Sequence, residues 1–429
     1  MSQADTCVDG SFSKHHKGLT GSSGRLTINQ SRVTLLGGVE RMREISFSEL
    51  VNSPGGTNSV EGSEFMKHFC AKEVLHIAQD DRTRFEHLLS WDKINEILSL
   101  NLLNRERLRI TRDGRDIPPA FYRNEESQRD PIVASKLQEL LKQNASVVLN
   151  RVQDLSPPVR RMALQMEVAL NQKLNVNGYA TFGAGGAFSM HYDSHDVLVM
   201  QIYGTKHWFI YDDPEPSPTD EEKKKAKKPA PRNVAFETIL QAGDALYVPR
   251  GTYHRAQVTD TDSVHLTFGI HTSKGVDFID WIRPKLQQER IFREDILTVC
   301  GSDAVLQQEK AIKERLCEII NEASLSQFLE KWERSRNPID KFRLGPSAEI
   351  DDGTMLTPLL RYPGAWQRAL KEKGQEPSEA GERILESLLE KRFATLSELK
   401  TDLGRVLDED TLKSTVAELV DGCWIEVVR

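Results

Sequence analysis

Two short segments far apart in the chain restrict its fold more than anything else: His191-Tyr192-Asp193, and Gly243-Asp244-Ala245-Leu246-Tyr247-Val248-Pro249-Arg250-Gly251-Thr252-Tyr253-His254. Two imidazoles and one carboxylate can hold a divalent metal on one face and leave its other positions open, as in non-haem Fe(II) sites. They can do so only if the chain brings His254 back against residues 191–193. The flanking sequence suggests how. Val197-Leu198-Val199-Met200-Gln201-Ile202 and Trp208-Phe209-Ile210-Tyr211 are rich in β-branched and aromatic residues and predict strands. If 191–193 is extended, His191 and Asp193 share one face, because strand side chains alternate with a period of two. Leu246-Tyr247-Val248 predicts a short apolar strand, Pro249 and Gly251 a turn, and His254 stands just beyond it.

A His-x-Asp triplet alone carries little, since histidine serves many roles. Its weight comes from agreement with the Gly-x5-Pro-x-Gly-x2-His element. Zinc hydrolysis is a rival use of two His and a carboxylate. A closed structural zinc site would want a fourth ligand, often Cys, and no Cys lies near either segment.

At 429 residues the chain exceeds the roughly 250–300 at which single cores stop growing, so more than one domain is expected. With 38% hydrophobic and 28% charged residues it reads as soluble and globular. It lacks the run of about 18 apolar residues a membrane span needs. The N-terminal residues lack the apolar stretch of a secretory signal, so a cytoplasmic or nuclear location is expected. Five scattered cysteines, at 7, 70, 300, 317 and 423, without CxxC spacing, read as reduced thiols. A net charge of −7 argues against a general nucleic-acid coat.

Residues 1–40 have little apolar periodicity and are expected to be a disordered extension, apart from a short segment near Val33–Leu36. Apolar spacing predicts helices at Phe65–Phe69, Phe85–Leu89 and Trp91–Leu98, the last capped by Ser90, then at 131–143 and 157–174. Leu108–Thr111 alternates as a strand, and 157–174 runs into another around Tyr179–Phe182. Gly183-Ala184-Gly185-Gly186 lacks a GK[ST] ending and reads as a turn, not a phosphate loop. Residues 213–233 form a Lys- and Pro-rich insertion, whose run Lys223–Lys228 beside Asp220-Glu221-Glu222 reads as a solvated loop. Helices are expected at Ala304–Asn321 and Leu325–Arg334. The last fifty or so residues read as helices Ala380–Glu390, Leu396–Leu403 and Asp410–Leu419 and a strand Trp424–Val428, a winged-helix pattern. Lys413 is the one base on that third helix, poor chemistry for DNA phosphates, so direct nucleic-acid binding is not expected.

The stretch from His191 through Gln201-Ile202-Tyr203-Gly204-Thr205-Lys206-His207-Trp208, closed by the Gly243–His254 element, resembles the JmjC-type ribosomal oxygenases of the cupin superfamily. That resemblance implies a mixed α and β fold: a double-stranded β-helix (JmjC/cupin) barrel with flanking helices at 41–272, an α-helical dimerisation domain at 273–375 and a C-terminal winged helix at 376–429. It implies Fe(II), with 2-oxoglutarate and O₂ as co-substrates, and hydroxylation of a side chain, histidine or arginine, in a ribosomal or other protein. It implies His191, Asp193 and His254 as catalytic metal ligands and Lys206 as the partner of the distal carboxylate of 2-oxoglutarate. A lysine aimed into a barrel is costly unless paired, which a dicarboxylate would explain. Tyr179, Asn177 and Thr267 are further co-substrate contacts by the same resemblance. His195, His207, His265 and His271 match no ligand position and read as supporting or structural residues. The Asn that often follows the third cupin ligand by four residues is Val258 here, which marks a branch of the superfamily.

Other readings keep the same residues. One changes the target to a peptide or small natural product, another is histone demethylation by the same chemistry. A third is a non-catalytic cupin-fold binding protein on an oligomerising helical domain, which the intact triad and Lys206 disfavour. A protein substrate, a homodimer and no membrane association are the partner expectations.

Overall fold

The computed structural model describes residues 47–51, 63–112, 114–183, 189–225, 230, 232–258, 262–296, 299, 301–329, 350–358, 377–391, 394–422 and 424–428. The expectations for residues 1–40, for most of the Gly183–Gly186 turn, for Ala226–Lys228 and for Leu325–Arg334 beyond residue 329 lie outside these residues.

Among the described residues, eleven strands precede the C-terminal part. They are β1 (Leu75–Ile77), β2 (Leu108–Arg112), β3 (Arg115–Asp116), β4 (Ser146–Leu149), β5 (Lys173–Thr181), β6 (Asp196–Tyr203), β7 (Thr205–Tyr211), β8 (Val234–Gln241), β9 (Ala245–Val248), β10 (His254–Gln257) and β11 (Ser263–His271). Eight form one antiparallel sheet in the order β1-β9-β6-β11-β5-β4-β2-β3, and β10-β7-β8 form a second.

Alternation along these strands assigns side chains to two different interiors. On β6, Leu198, Met200 and Ile202 enter the main core, which also holds helical residues such as Leu137, Met162 and Met166. Val197 and Val199 turn the other way and pack with Trp208, Ile210 and Leu240 of the second sheet. β6 is therefore buried on both faces, which is why Val197–Met200 is an apolar run without polar alternation. On β11, Val264, Leu266, Phe268 and Ile270 belong to the main core. Period two then aims His265 and Thr267 into the space between the sheets. β5 obeys the same parity, with Leu174, Val176 and Ala180 in the core and Asn175, Asn177, Tyr179 and Thr181 on the opposite face.

The helices follow the apolar spacing with shifted ends. Ser63 and Ser90 cap Glu64–Ala71 and Trp91–Ser99 by accepting from the backbone N–H groups of Met66 and Lys93. The expected 157–174 helix is Pro157–Leu170, stopped by Asn171 in the left-handed region, and 131–143 shortens to Ala134–Lys142. Phe85–Leu89 is not helical: it runs through successive turns. Phe85, Leu88 and Leu89 are nonetheless buried, so burial from a turn imitates helical spacing there.

After the sheets come helices Gly275–Gln288 and Ser302–Glu322. Farther on, helices Glu379–Lys391, Leu396–Leu403 and Glu409–Asp421 share a separate core with Leu356, Ala394, Trp424 and Ile425. Three strands, β12 (Met355–Pro358), β13 (Ala394–Thr395) and β14 (Ile425–Val428), pair there in the order β13-β12-β14. β12 has no counterpart in the sequence reading, because four residues are too few for alternation to register. Among the described residues no helix is long and apolar enough to cross a membrane, and Cys70 and Cys317 are free thiols.

The turn between β9 and β10 needs its glycine. Gly251 has φ +80°, and a Cβ there would stand 2.0 Å from the Glu215 carbonyl oxygen. Gly251→Ala is therefore expected to cost more than about 1 kcal/mol of stability. Urea denaturation of the two proteins measures it, and equal midpoints would show that the turn tolerates a side chain.

Candidate metal centre

The two ligand-bearing segments meet through the backbone. The His254 N–H donates to the His191 carbonyl at 2.8 Å and the His191 N–H to the His254 carbonyl at 3.1 Å, an isolated antiparallel bridge. One link farther along, the Gly251 N–H donates to the Asp193 carbonyl at 2.8 Å. Tyr192 points away from its neighbours and packs edge-on against Tyr253, ring centroids 5.0 Å apart. His191, Asp193 and His254 are thereby left together, with one possible ligand atom from each all lying within 4.8 Å of one another.

The ring nitrogens are sorted by their other bonds. His191 Nδ1 lies 2.8 Å from the Ser189 carbonyl oxygen and His254 Nδ1 lies 2.9 Å from that of Thr252. A carbonyl oxygen can only accept, so each Nδ1 carries the proton and each Nε2 carries the lone pair. Second partners of this kind fix the orientation of metal-binding imidazoles. Burial, reinforced by the neighbouring His191, pushes the His254 pKa down to about 4 despite the opposing pull of Asp193, so His254 is neutral at ordinary pH. Burial alone would raise the Asp193 carboxyl. The neighbouring His191 and His254, and then Lys223, outweigh it and hold that carboxyl well below the usual range. Neutral imidazole and ionised carboxylate are the forms that bind a metal. This donor set fits Fe(II), as two nitrogens and one oxygen on one side of a cavity.

A cavity opens beside the triad, with Tyr179, Lys206, Trp208 and Thr267 among its walls. Lys206 lies at its wall with 1% of its surface exposed. It sits on the inward face of β7 with Trp208 and Ile210, and its Nζ donates to Thr181 Oγ1 and approaches His265 Nδ1, both at 3.3 Å. Burial alone pushes its pKa down to about 7, with no carboxylate among the described residues acting on it. Tyr179 and His265 are cross-strand partners whose rings stack at 4.7 Å. Burial and, next, the charge of Asp193 push the Tyr179 phenol up to about 12, which keeps its proton available for donation. Thr267 also lines the cavity.

Asn177 does not line it. Its Oδ1 accepts from the Arg151 N–H at 3.2 Å, and its side chain hydrogen-bonds to Tyr179, so its route to the cavity is through that tyrosine. His207 faces outward and pairs with Glu237 at 2.7 Å, while His195 and His271 stack together at 4.4 Å. His265 is the cavity residue that sequence reasoning undervalued. The parity of β11 signals it, since it stands two residues before Thr267. Lys223 was also missed: it lies on the short helix Asp220–Lys225 and its Nζ donates to Asp193 Oδ1.

A buried ammonium without a carboxylate partner destabilises the fold it sits in. Lys206→Met is expected to match or raise the thermal midpoint of the unliganded protein at pH 7. Folded Lys206 loses its proton near pH 7, whereas an unfolded lysine holds it to about 10.4. Across that window the unfolded state binds more protons, so the parent gains stability as pH rises and the advantage of the variant shrinks. Paired melting curves from pH 7 to 10 check this, and a variant clearly less stable at pH 7 would contradict it.

Residues 149–278 match the family model described as the JmjC domain. The chain is 28% identical over 231 residues to the bifunctional lysine-specific demethylase and histidyl-hydroxylase NO66 of Culex quinquefasciatus, an alignment covering 48% of this chain and 32% of that protein. It is 24% identical over 258 residues to the NO66 protein of Drosophila melanogaster, covering 54% of this chain and 36% of that protein. The chain thus spans about a third of the length of these curated relatives. Among solved structures, the Escherichia coli ribosomal oxygenase YcfD in complex with cobalt and 2-oxoglutarate aligns at 15% identity and a TM-score of 0.47, covering 85% of this chain and 99% of that one.

Proposed function

We propose that the chain is a JmjC-type ribosomal oxygenase, an Fe(II)- and 2-oxoglutarate-dependent enzyme hydroxylating a histidine or arginine side chain of a ribosomal or other protein, a reading supported by the JmjC-domain match over residues 149–278 and by the likeness to the NO66 proteins. The observation that carries this reading is the convergence of His191, Asp193 and His254 beside the buried cation Lys206. The histidyl-hydroxylase in the name of the aligned relatives favours histidine over arginine as the target.

In this reading His191 Nε2, His254 Nε2 and Asp193 hold the iron. The iron, the keto acid and O₂ together supply the oxidising chemistry, yielding succinate, CO₂ and a hydroxylated product. The protein supplies position and charge. Lys206 faces the distal carboxylate of 2-oxoglutarate, and binding this dianion draws the lysine toward its charged form. His265, kept neutral by burial and then by the field of Lys206, accepts from the ammonium and steadies it. The Tyr179 phenol, held protonated, and the Thr267 hydroxyl offer further donors to the co-substrate, and Asn177 steadies Tyr179.

The same proposal takes residues 273–375 as a dimerisation region and 376–429 as a winged helix. Exposed Val276, Ile279 and Leu306 on the two helices after β11 support the first. Three helices and a three-stranded sheet around a core of their own support the second.

The test is incubation of the purified protein with Fe(II), 2-oxoglutarate, O₂ and a ribosomal protein fraction, followed by peptide mass spectrometry with His191→Ala as control. A histidine or arginine peptide gains one oxygen, and His191→Ala lowers the yield by at least two orders of magnitude. Succinate formed without any modified peptide would move the target to a peptide or small metabolite, and full activity of His191→Ala would remove the hypothesis.

A further inference from the structure

The insertion at 213–233 is laced to the metal segments. The Glu215 N–H donates to the Gly251 carbonyl at 2.9 Å, and the Tyr253 hydroxyl donates to Glu215 Oε2 at 3.3 Å. Ser194 Oγ donates to Asp220 Oδ1 at the start of helix Asp220–Lys225. Within that helix Lys223 alone is turned inward, at 37% side-chain exposure, while the other five residues are exposed. A solvated lysine run would show no such distinction.

Lys223 meets a particular oxygen. Its Nζ donates to Asp193 Oδ1, while Asp193 Oδ2 is the oxygen 3.7 Å from His254 Nε2. The carboxylate is thus divided, Oδ2 toward His254 and Oδ1 toward the lysine. As an ion pair between a lysine 37% exposed and a carboxylate 17% exposed, the contact is only partly shielded from solvent, which limits its contribution to stability. As an orienting contact its effect is larger, because outer partners of metal ligands commonly change metal affinity or activity 10- to 100-fold.

We propose that Lys223 is a positioning residue that holds Asp193 Oδ1, so that Asp193 offers the metal one oxygen and leaves a coordination position for the keto acid. The inference rests on the metal-centre reading above. Without Lys223 the carboxylate can turn both oxygens inward and take a position that 2-oxoglutarate needs. Loss of the ammonium also removes a cation near a dianionic co-substrate. Both effects weaken 2-oxoglutarate binding, and neither weakens the metal, since a repelling charge is gone and an oxygen is gained.

The experiment is calorimetric titration of the full chain, first with Co(II) alone and then of the Co(II)-loaded protein with 2-oxoglutarate, for the parent, K223M and K223R. K223M is expected to bind Co(II) at least as tightly as the parent and 2-oxoglutarate at least about tenfold more weakly. K223R, which keeps a charged donor, recovers most of that loss. Unchanged 2-oxoglutarate affinity in K223M overturns the proposal. So does loss of Co(II) binding in K223M, which would make the lysine a structural support, or a K223R protein no better than K223M. A parent that binds Co(II) but no 2-oxoglutarate, or neither, fails at the earlier step and removes the oxygenase reading itself.

Discussion

The pair of backbone hydrogen bonds between His191 and His254 is the constraint on which the site depends. It is a single antiparallel bridge, outside the longer ladders, yet it sets two imidazoles with ring centroids 4.5 Å apart. Side-chain interactions alone would not hold that spacing without a metal, since neutral imidazoles attract each other weakly. The bridge fixes it in the backbone, and the Gly251 bond to the Asp193 carbonyl fixes the third donor relative to the first two. Gly243 and Asp244 secure the other end of the element. Gly243 has φ +88° and lies where a Cβ would stand 2.2 Å from the Asp81 carbonyl oxygen. The Asp244 carboxylate accepts from the Gln79 and Gln241 N–H groups and from Arg82. The donors are thus arranged before any metal arrives, which lowers the ordering cost that binding would otherwise carry.

Electrostatics divides the cavity into two regions. Around Asp193 the surroundings favour its ionised form. Around Lys206 they oppose the charge, because burial is compensated by nothing more than a hydroxyl and an imidazole nitrogen among the described residues. A folded protein keeps a buried lysine in such surroundings at a cost to its stability. An anionic ligand would reverse the sign of that cost, so under the proposed function the lysine that strains the pocket is the group that would recognise a dicarboxylate. Stability and recognition are in tension at one residue, a common compromise at functional sites.

Much of this was legible in the order of residues. The His-x-Asp triplet and the Gly243–His254 element pointed to the three donors that the fold brings together. The strands Val197–Ile202 and Trp208–Tyr211 appeared where β-branched and aromatic residues cluster, and the C-terminal helices appeared within a residue or two of their ends. Other features were hidden for identifiable reasons. Phe85–Leu89 has helical spacing but forms turns, since spacing reports which residues are buried and not which backbone buries them. β12 is four residues long and gains its identity only from β13 and β14. His265 looked like a spare histidine until pairing with Tyr179 showed which face of β11 it occupies. Lys223 belonged to a charge run, a composition that ordinarily marks solvent.

The chain by itself determined the donor types, two imidazoles, a carboxylate and a lysine on a strand, because chemistry resides in side chains and their local spacing. It also determined strand parity, because alternation is a property of extended backbone. Tertiary structure alone decided which of the eleven histidines meet, which carboxylate oxygen faces the imidazoles, and that Lys223 reaches Asp193 from thirty residues away in sequence. Those outcomes come from hydrogen bonds and packing between segments remote in the chain, and no local pattern encodes the distance between them.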